Sequence, residues 1–225
     1  MVELWNIAKE ISSGLWVTLS IFGFTLLFSI PLGLLLSVMA VSKNRVLSGA
    51  VGVYTWLLRG TPLMLQIFFL YFGWPIIVMS IPALAPYRDV LKLDNYSAGL
   101  VGFILNYAAY FAEIFRGGIK GIDRGQLEAA RALGLNYPRT MLRIVIPQAI
   151  RNSLPPIGNE TITLIKDTVL LAIISLKDIL QYAKIIVSRE FTLTPFLVVA
   201  VFYLVMTFVV TRVMKLLERR FSIPE

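Results

Sequence analysis

The chain has 225 residues, of which 57% are hydrophobic, with a mean hydropathy of +0.78 and a formal net charge of +8. This is far more apolar than a soluble globular domain, so the composition predicts a membrane protein, organised as one domain over residues 1–225. Cysteine and histidine are absent, which excludes disulfides, thiol catalysis and histidine-based metal sites or proton shuttles.

The N-terminal stretch MVELWNIAKE is unlike a cleavable signal peptide. It places Glu3 and Glu10 where such a peptide carries positive charge, and the apolar run that follows is too long. We therefore expect a retained first membrane span.

Five stretches approach the roughly 20 apolar residues that cross about 30 Å of hydrocarbon. The predicted fold is an all-α membrane protein with five transmembrane helices, at about residues 14–41, 55–80, 96–116, 157–176 and 194–211. Prolines interrupt the first two stretches, and the fourth is polar in its first half. The long connection between the third and fourth spans covers about residues 117–155.

Basic residues are divided unevenly between the two sets of alternate connections, and they concentrate on the cytoplasmic side of membranes. The set with the long connection and the C-terminus holds 12: Lys43, Arg45, Lys120, Arg124, Arg131, Arg139, Arg143, Arg151, Arg212, Lys215, Arg219 and Arg220. The other set holds 6: Lys9, Arg88, Lys92, Lys177, Lys184 and Arg189. We expect a prokaryotic inner-membrane protein with its N-terminus outside and its C-terminus and long connection in the cytoplasm. The net positive charge is then explained by the membrane topology, and not by binding to nucleic acid or another acidic partner.

No phosphate-binding loop of the form Gly-x4-Gly-Lys-Ser/Thr occurs in the chain. The stretch GGIKGI at residues 117–122 has glycines and a lysine at the wrong spacing. We expect no nucleotide hydrolysis, no catalytic residue, no metal site and no cofactor bound by this chain. An odd number of spans without matching broken helices in two halves argues against an inverted-repeat secondary transporter.

The long connection contains two short predicted helices. Asp123 is placed to cap the first, and Gly134 suits the left-handed residue that ends it. Asn136 is placed to cap the second, with Pro138 in its first turn, and Pro147 is expected to end or kink it. The result is a helix–turn–helix with arginines on its outside. Basic amphipathic helices also lie flat on bilayers, and that alternative stays open.

Residues 128–147, EAARALGLNYPRTMLRIVIP, resemble the EAA signature of the permease subunits of ABC importers. That signature has Glu-Ala-Ala, three residues, Gly, nine residues, and an Ile-x-Leu-Pro-like end, where Ile146 here stands for leucine. The stretches LRGTPLMLQIFF at 58–69, FRGGIKGIDRGQ at 115–126 and PQAIRNSLPPIGNETITLIKDTVL at 147–170 are similar to the polar-amino-acid branch. The resemblance covers most of the chain.

The resemblance implies a type I ABC importer-like fold in which this stretch is a cytoplasmic coupling helix seated in a cleft of an ATPase subunit. The implied ATPase-coupling residues are Glu128, Ala129, Ala130, Arg131, Gly134, Arg139, Arg143 and Pro147. The implied partners are ABC ATPase subunits, which bind ATP and magnesium, a second copy of the chain in a homodimer or a related permease, and an extracytoplasmic amino acid binding protein. Glu128 is expected to pair with Arg124 or Arg131 rather than with the ATPase.

Ionisable residues within the spans are costly to place in hydrocarbon and are candidates for function. Glu113 is expected to pair with Arg116, three residues further on, or with Arg59. Lys166 and Asp167 are adjacent and point in different directions, so each requires a partner elsewhere. Neither is assigned to substrate.

Glu160 has no cation close to it in sequence, and it shares a helix face with Thr163 and Asp167. This polar stripe predicts a water-lined path in which Glu160 contacts substrate, and an unpaired carboxylate there favours a basic amino acid. The alternative is that Glu160 stabilises the start of a helix, after Pro155 and Pro156, through the helix dipole.

The other substrate-binding candidates are neutral: Asn106, Tyr107, Thr163, Gln66, Thr61 and Met64. Asn106 and Tyr107 lie at mid-depth of the third span, where an amide must find a partner. Gln66, Thr61 and Met64 belong to the proline-broken second span, whose freed carbonyls can face a cavity. Bonding between helices is the alternative role for each of them.

The sequence thus predicts the membrane-spanning subunit of an ATP-driven importer of polar amino acids, with basic ones favoured. One alternative is a stand-alone secondary transporter or channel, which would have no use for the EAA-like stretch. Another is a membrane scaffold that does not transport, which would tolerate the loss of Glu160, Asn106 and Lys166 equally well.

Overall fold

The computed structural model describes residues 2–221, which form helices joined by short turns, without a strand in that range. The helices are α1 Val2–Ser12, α2 Leu15–Ala40, α3 Arg45–Gly60, α4 Leu63–Phe68, α5 Trp74–Ser80, α6 Arg88–Leu91, α7 Asn95–Lys120, α8 Arg124–Ala132, α9 Tyr137–Thr140, α10 Ile146–Asp167, α11 Ile179–Glu190 and α12 Thr194–Phe221. Two π-helical turns, Phe69–Gly73 and Met141–Val145, and two 3₁₀ helices, Pro82–Tyr87 and Thr168–Ile174, lie between them.

Within the described residues, four helical stretches are long and apolar enough to cross a membrane: Glu3–Ala40, Leu63–Ser80, Asn95–Lys120 and Thr194–Phe221. They match the first, second, third and last predicted spans. The predicted fourth span, residues 157–176, is not among them, because α10 is too polar. The count of five spans is therefore not confirmed by length and composition.

The predicted second span begins too early. Residues 55–60 belong to α3, which ends at Gly60, and the next helix begins only at Leu63. Thr61 and Pro62 between them are extended, because a proline disfavours the helical conformation in the residue before it. The chain therefore has a break here between two separate helices.

Each of the two π-helical turns ends two residues before a proline, Pro75 or Pro147. Proline lacks an N–H and its ring clashes with the carbonyl four residues back in a regular α-helix. In each π turn, the N–H of the residue before the proline bonds the carbonyl five residues back, and the helical backbone continues. Of the two outcomes predicted at Pro147, an end or a kink of the helix, the end is therefore wrong, since helical structure runs over residues 137–167.

The core centres on α7, whose Phe103, Tyr107, Phe111 and Phe115 are almost completely buried. The most extensive helix contact is between α7 and α2. At Gly33 of α2, an added Cβ would lie 2.6 Å from the Cβ of Phe111. A second apolar cluster joins α1, α11 and α12. The close contact with α2 fixes α7, which lines the site described below.

We expect Gly33→Ala to lower the free energy of unfolding by about 1–3 kcal/mol, because the new methyl group forces α2 away from α7. The matched control is Gly23→Ala in the same helix, where an added Cβ meets nothing within 4 Å. Thermal unfolding of the purified variants in detergent measures the difference. Equal stability of the two variants would show that α2 and α7 are not closely packed.

Candidate functional site

Side chains hold the break between α3 and α4 in place. The hydroxyl of Thr61 donates to the carbonyl of Leu57 at 2.8 Å. The amide of Gln66 donates to the carbonyl of Leu58 at 2.8 Å, and Asn106 of α7 donates to the same carbonyl at 2.9 Å. Asn106 also donates to the amide oxygen of Gln66 at 3.1 Å. The carbonyl of Leu58 near the end of α3 is thus bonded by two side-chain amides.

A cavity of about 650 Å³ lies beside this break, between α3, α4, α7 and the second half of α10. Six predicted substrate-binding residues line it: Thr61, Met64, Asn106, Tyr107, Glu160 and Thr163. The seventh, Gln66, instead lines a neighbouring apolar cavity of about 470 Å³, and its amide is engaged in the break. The structure therefore brings six of the candidates together and leaves one outside.

Two charged residues that the sequence did not assign to substrate also line the cavity, Arg59 and Asp167. Asp167 reaches it because Glu160, Thr163 and Asp167 follow one another on one face of α10, as helical periodicity predicts. The seven-residue spacing of the two acids was the available signal for Asp167. No sequence pattern links Arg59 to them, since it comes from a distant helix.

The two carboxylates of the cavity differ in their partners. Asp167 accepts a hydrogen bond from the hydroxyl of Tyr107 at 2.8 Å. Glu160 makes no hydrogen bond or ion pair within the part of the chain that the structure describes. It lies deep inside α10, and the two prolines before it are also within that helix. The alternative in which Glu160 stabilises a helix start is therefore wrong.

An ion cluster adjoins the cavity, and both predicted pairs of Glu113 form in it. The Nε of Arg116 donates to Oε2 of Glu113 at 3.0 Å, and its Nη2 contacts the same oxygen. A nitrogen of Arg59 lies 3.6 Å from that oxygen, and its guanidinium lies 5.3 Å from the ring centroid of Tyr110. Lys166, in contrast, is exposed and has no ion pair among residues 2–221.

The helix α8 begins and ends as its sequence predicts. The side chain of Asp123 accepts a hydrogen bond from the N–H of Gly125. Gly134 adopts a left-handed φ of +72°, and the N–H of Leu135 closes the turn onto the carbonyl of Ala130 at 3.0 Å. A turn of this kind favours glycine, which has no Cβ to clash at positive φ.

The second helix of this unit also begins as predicted. The side chain of Asn136 accepts a hydrogen bond from the N–H of Arg139 at 3.1 Å. Inward-facing side chains, including Ala130, Met141 and Val145, are almost completely buried, and the last two pack in a cluster with residues at the ends of α2 and α7. We call residues 123–147 the α8–α9 unit; it is attached firmly to the helices around it.

The outer surface of the α8–α9 unit carries the other predicted coupling residues. They are all exposed: Glu128, Ala129, Arg131, Gly134, Arg139, Arg143 and Pro147. Three large apolar side chains are exposed beside them, Leu133 by 79%, Tyr137 by 53% and Leu142 by 68%. Glu128 makes no ion pair within the described range, so the predicted pairing with a neighbouring arginine is not found.

Sequence comparison places the chain among transport proteins. Residues 29–223 match the family described as binding-protein-dependent transport system inner membrane component. The probable amino-acid ABC transporter permease protein YckA of Bacillus subtilis (strain 168) is 37% identical over 208 residues, which cover 89% of this chain and 87% of the relative. The arginine transport system permease protein ArtQ of the same strain is 35% identical, with coverage of 93% and 91%. The putative glutamine transport system permease protein GlnP of Rickettsia prowazekii (strain Madrid E) is 32% identical, with coverage of 93% and 92%.

Structural comparison gives the same result. An amino acid ABC transporter crystallised with histidines matches with a TM-score of 0.84 and 31% identity, over 97% of each chain. An inward-facing form of the MetNI methionine ABC transporter shares the fold, with a TM-score of 0.75 and 17% identity over 96% of this chain and 97% of the other. The chain therefore belongs to the family of inner-membrane components of binding-protein-dependent transport systems.

Proposed function

We propose that the chain is the membrane-spanning subunit of an ATP-driven importer of polar amino acids that favours those with basic side chains. The observation that carries this proposal is the charge of the cavity beside the helix break. Glu160 and Asp167 contribute two carboxylates there, against a single guanidinium from Arg59. A lining with net negative charge favours a cationic solute. As a permease of its family, the chain is a transport subunit rather than a catalyst.

The neutral residues of the cavity add hydrogen-bonding groups suited to an amino acid. Asn106 uses its amide nitrogen on the helix break, so its amide oxygen remains an acceptor. The hydroxyl of Thr163 donates to the carbonyl of Asn159 at 3.2 Å and retains its lone pairs as acceptors. Acceptors near two carboxylates match an ammonium or guanidinium group. Relatives named for arginine and for glutamine transport support an amino acid as cargo.

The exposed apolar side chains of the α8–α9 unit support an ATPase subunit as its partner. Leu133, Tyr137 and Leu142 lie next to exposed arginines on a segment held rigid by caps and by the Gly134 turn. An exposed apolar patch with a polar rim is typical of a surface that binds another protein. A rigid unit can transmit the movement of an ATPase, which binds ATP and magnesium, to the membrane helices.

The rest of the proposed assembly follows from the charge distribution and the family. The excess of basic residues in one set of connections supports a topology with the α8–α9 unit and the C-terminus in the cytoplasm and the N-terminus outside, in which α10 contributes the fourth of five spans. A second copy of the chain, or a related permease, completes the translocation path. An extracytoplasmic binding protein delivers the amino acid.

Competition for uptake tests the proposed cargo. In cells that express the whole transporter, lysine and histidine are expected to inhibit the uptake of labelled arginine strongly. Glutamate is expected to require at least a tenfold higher concentration for the same inhibition. Glutamine is expected to lie between them, because it is polar but uncharged. Inhibition by glutamate as strong as that by lysine would contradict the preference for basic amino acids.

A further inference from the structure

Arg59 lies between two cavities. One is the proposed substrate cavity, and the other is a cavity of about 390 Å³ lined by α3 and Ala40 at the end of α2 together with Glu113 and Arg116 of α7. Among the described residues, Arg59 is the one that lines both. It stands near the end of α3, immediately before the break that shapes the substrate cavity.

The contacts of Arg59 leave its guanidinium available. Its approach to Glu113 is long, at 3.6 Å, and Arg116 already donates to the same carboxylate oxygen from much closer. Arg59 also lies over the ring of Tyr110, which offers no hydrogen-bond acceptor on its face, and it attracts Glu160 without forming a hydrogen bond or ion pair with it. Within residues 2–221 the guanidinium makes no hydrogen bond, and 42% of the side chain is exposed. An arginine has five N–H donors, so this side chain can bind an anion without breaking a hydrogen bond.

The charges that line the cavity indicate which anionic group of the cargo Arg59 can bind. An α-amino acid carries a carboxylate as well as its ammonium group, and Glu160 and Asp167 repel a carboxylate. Arg59 is the only cation that lines the cavity in the described part of the chain. A guanidinium binds a carboxylate through two parallel hydrogen bonds, which fixes its orientation as well as its position.

We propose that Arg59 binds the α-carboxylate of the transported amino acid, while Glu160 and Asp167 take its cationic groups. This inference rests on the proposed function of the cavity. When Arg59 turns toward the substrate, Glu113 keeps Arg116 as its partner, so no carboxylate is left unpaired in the apolar interior. Arg59 is thus a specificity-determining residue that requires a free carboxylate on the cargo.

Direct binding to the purified permease–ATPase complex tests this role. The binding protein is omitted so that its own selectivity does not enter. Labelled arginine is displaced with unlabelled arginine, with argininamide, whose α-carboxylate is an amide, and with agmatine, which has none. The wild-type complex is expected to bind arginine at least tenfold more tightly than argininamide or agmatine. Arg59→Gln is expected to bring the three affinities within about twofold, and Arg59→Lys to restore part of the difference.

The matched control is Arg189→Gln, which removes a guanidinium that pairs with Glu10 and does not line the substrate cavity. It is expected to leave the preference for arginine over argininamide unchanged. Each variant is checked for folding by its elution as an intact complex. A preference for arginine that survives in Arg59→Gln overturns the inference alone. Absence of saturable amino acid binding to the wild-type complex overturns the proposed function itself and the inference with it.

Discussion

Gly134→Val is expected to lower ATP-driven uptake at least tenfold and to weaken the association of the chain with its ATPase. Gly134 has a φ of +72°, where a β-branched residue is strained by roughly 1–2 kcal/mol or more. The turn at Gly134 fixes the angle between α8 and the helix that follows, and the proposed ATPase contact depends on that angle. Co-purification of the ATPase with a tagged chain and uptake in the same cells measure both effects.

Gly134→Asn distinguishes two reasons for a glycine at this turn: the left-handed backbone conformation and direct packing of the ATPase against the residue. Asparagine tolerates a left-handed conformation far better than valine does. An added Cβ meets nothing within 4 Å in this chain, so neither variant clashes internally. If the turn alone matters, Gly134→Asn keeps most of the uptake; if the ATPase packs directly on Gly134, both variants lose it. Full uptake and normal co-purification in Gly134→Val would contradict the coupling role of the α8–α9 unit.

Glu160→Gln is expected to weaken the binding of arginine and lysine to the permease–ATPase complex at least tenfold, about 1.4 kcal/mol. The change removes a carboxylate that makes no hydrogen bond or ion pair within residues 2–221, in a cavity whose negative charge attracts cations. Binding of glutamine, which has no side-chain charge, is expected to change less than threefold. Adding Asp167→Asn should abolish the remaining preference for basic over neutral amino acids. Displacement of labelled arginine and labelled glutamine measures these affinities.

Glu190→Gln is the matched control for this prediction. Glu190 ends α11, pairs with Arg189 at 2.8 Å and does not line the cavity, so its loss should leave the preference unchanged. If Glu160→Gln keeps the full preference for arginine and lysine over glutamine, Glu160 is not the counter-ion of the cargo.

Features set by local chemistry could be predicted from the sequence. Asp123, Gly134 and Asn136 cap and end their helices as expected, because each acts on backbone groups within a few residues of itself. Pro147 was expected to end or kink its helix, and the helix does not end there because the preceding π turn moves the clashing carbonyl away. Helix α10 is too polar for its length and composition to identify it as a span.

The site could be predicted only along single helices. The stripe of Glu160, Thr163 and Asp167 follows from the period of α10, whereas the approach of Arg59 depends on how α3 packs against α7 and α10. Gln66 shows the same limit. It is polar and close to the helix break, but its amide bonds to the carbonyl of Leu58, and no sequence pattern distinguishes that role from substrate contact.

The most direct test of the central claim is reconstitution of the chain in liposomes with its ATPase and binding protein. The account predicts that labelled arginine accumulates only when ATP and magnesium are supplied on the ATPase side, and that accumulation stops when the ATPase is omitted or the α8–α9 unit carries Gly134→Val. Arginine entry that proceeds without ATPase or ATP, either as accumulation driven by an ion gradient or as equilibration down the arginine gradient, would contradict it and identify a stand-alone transporter or channel.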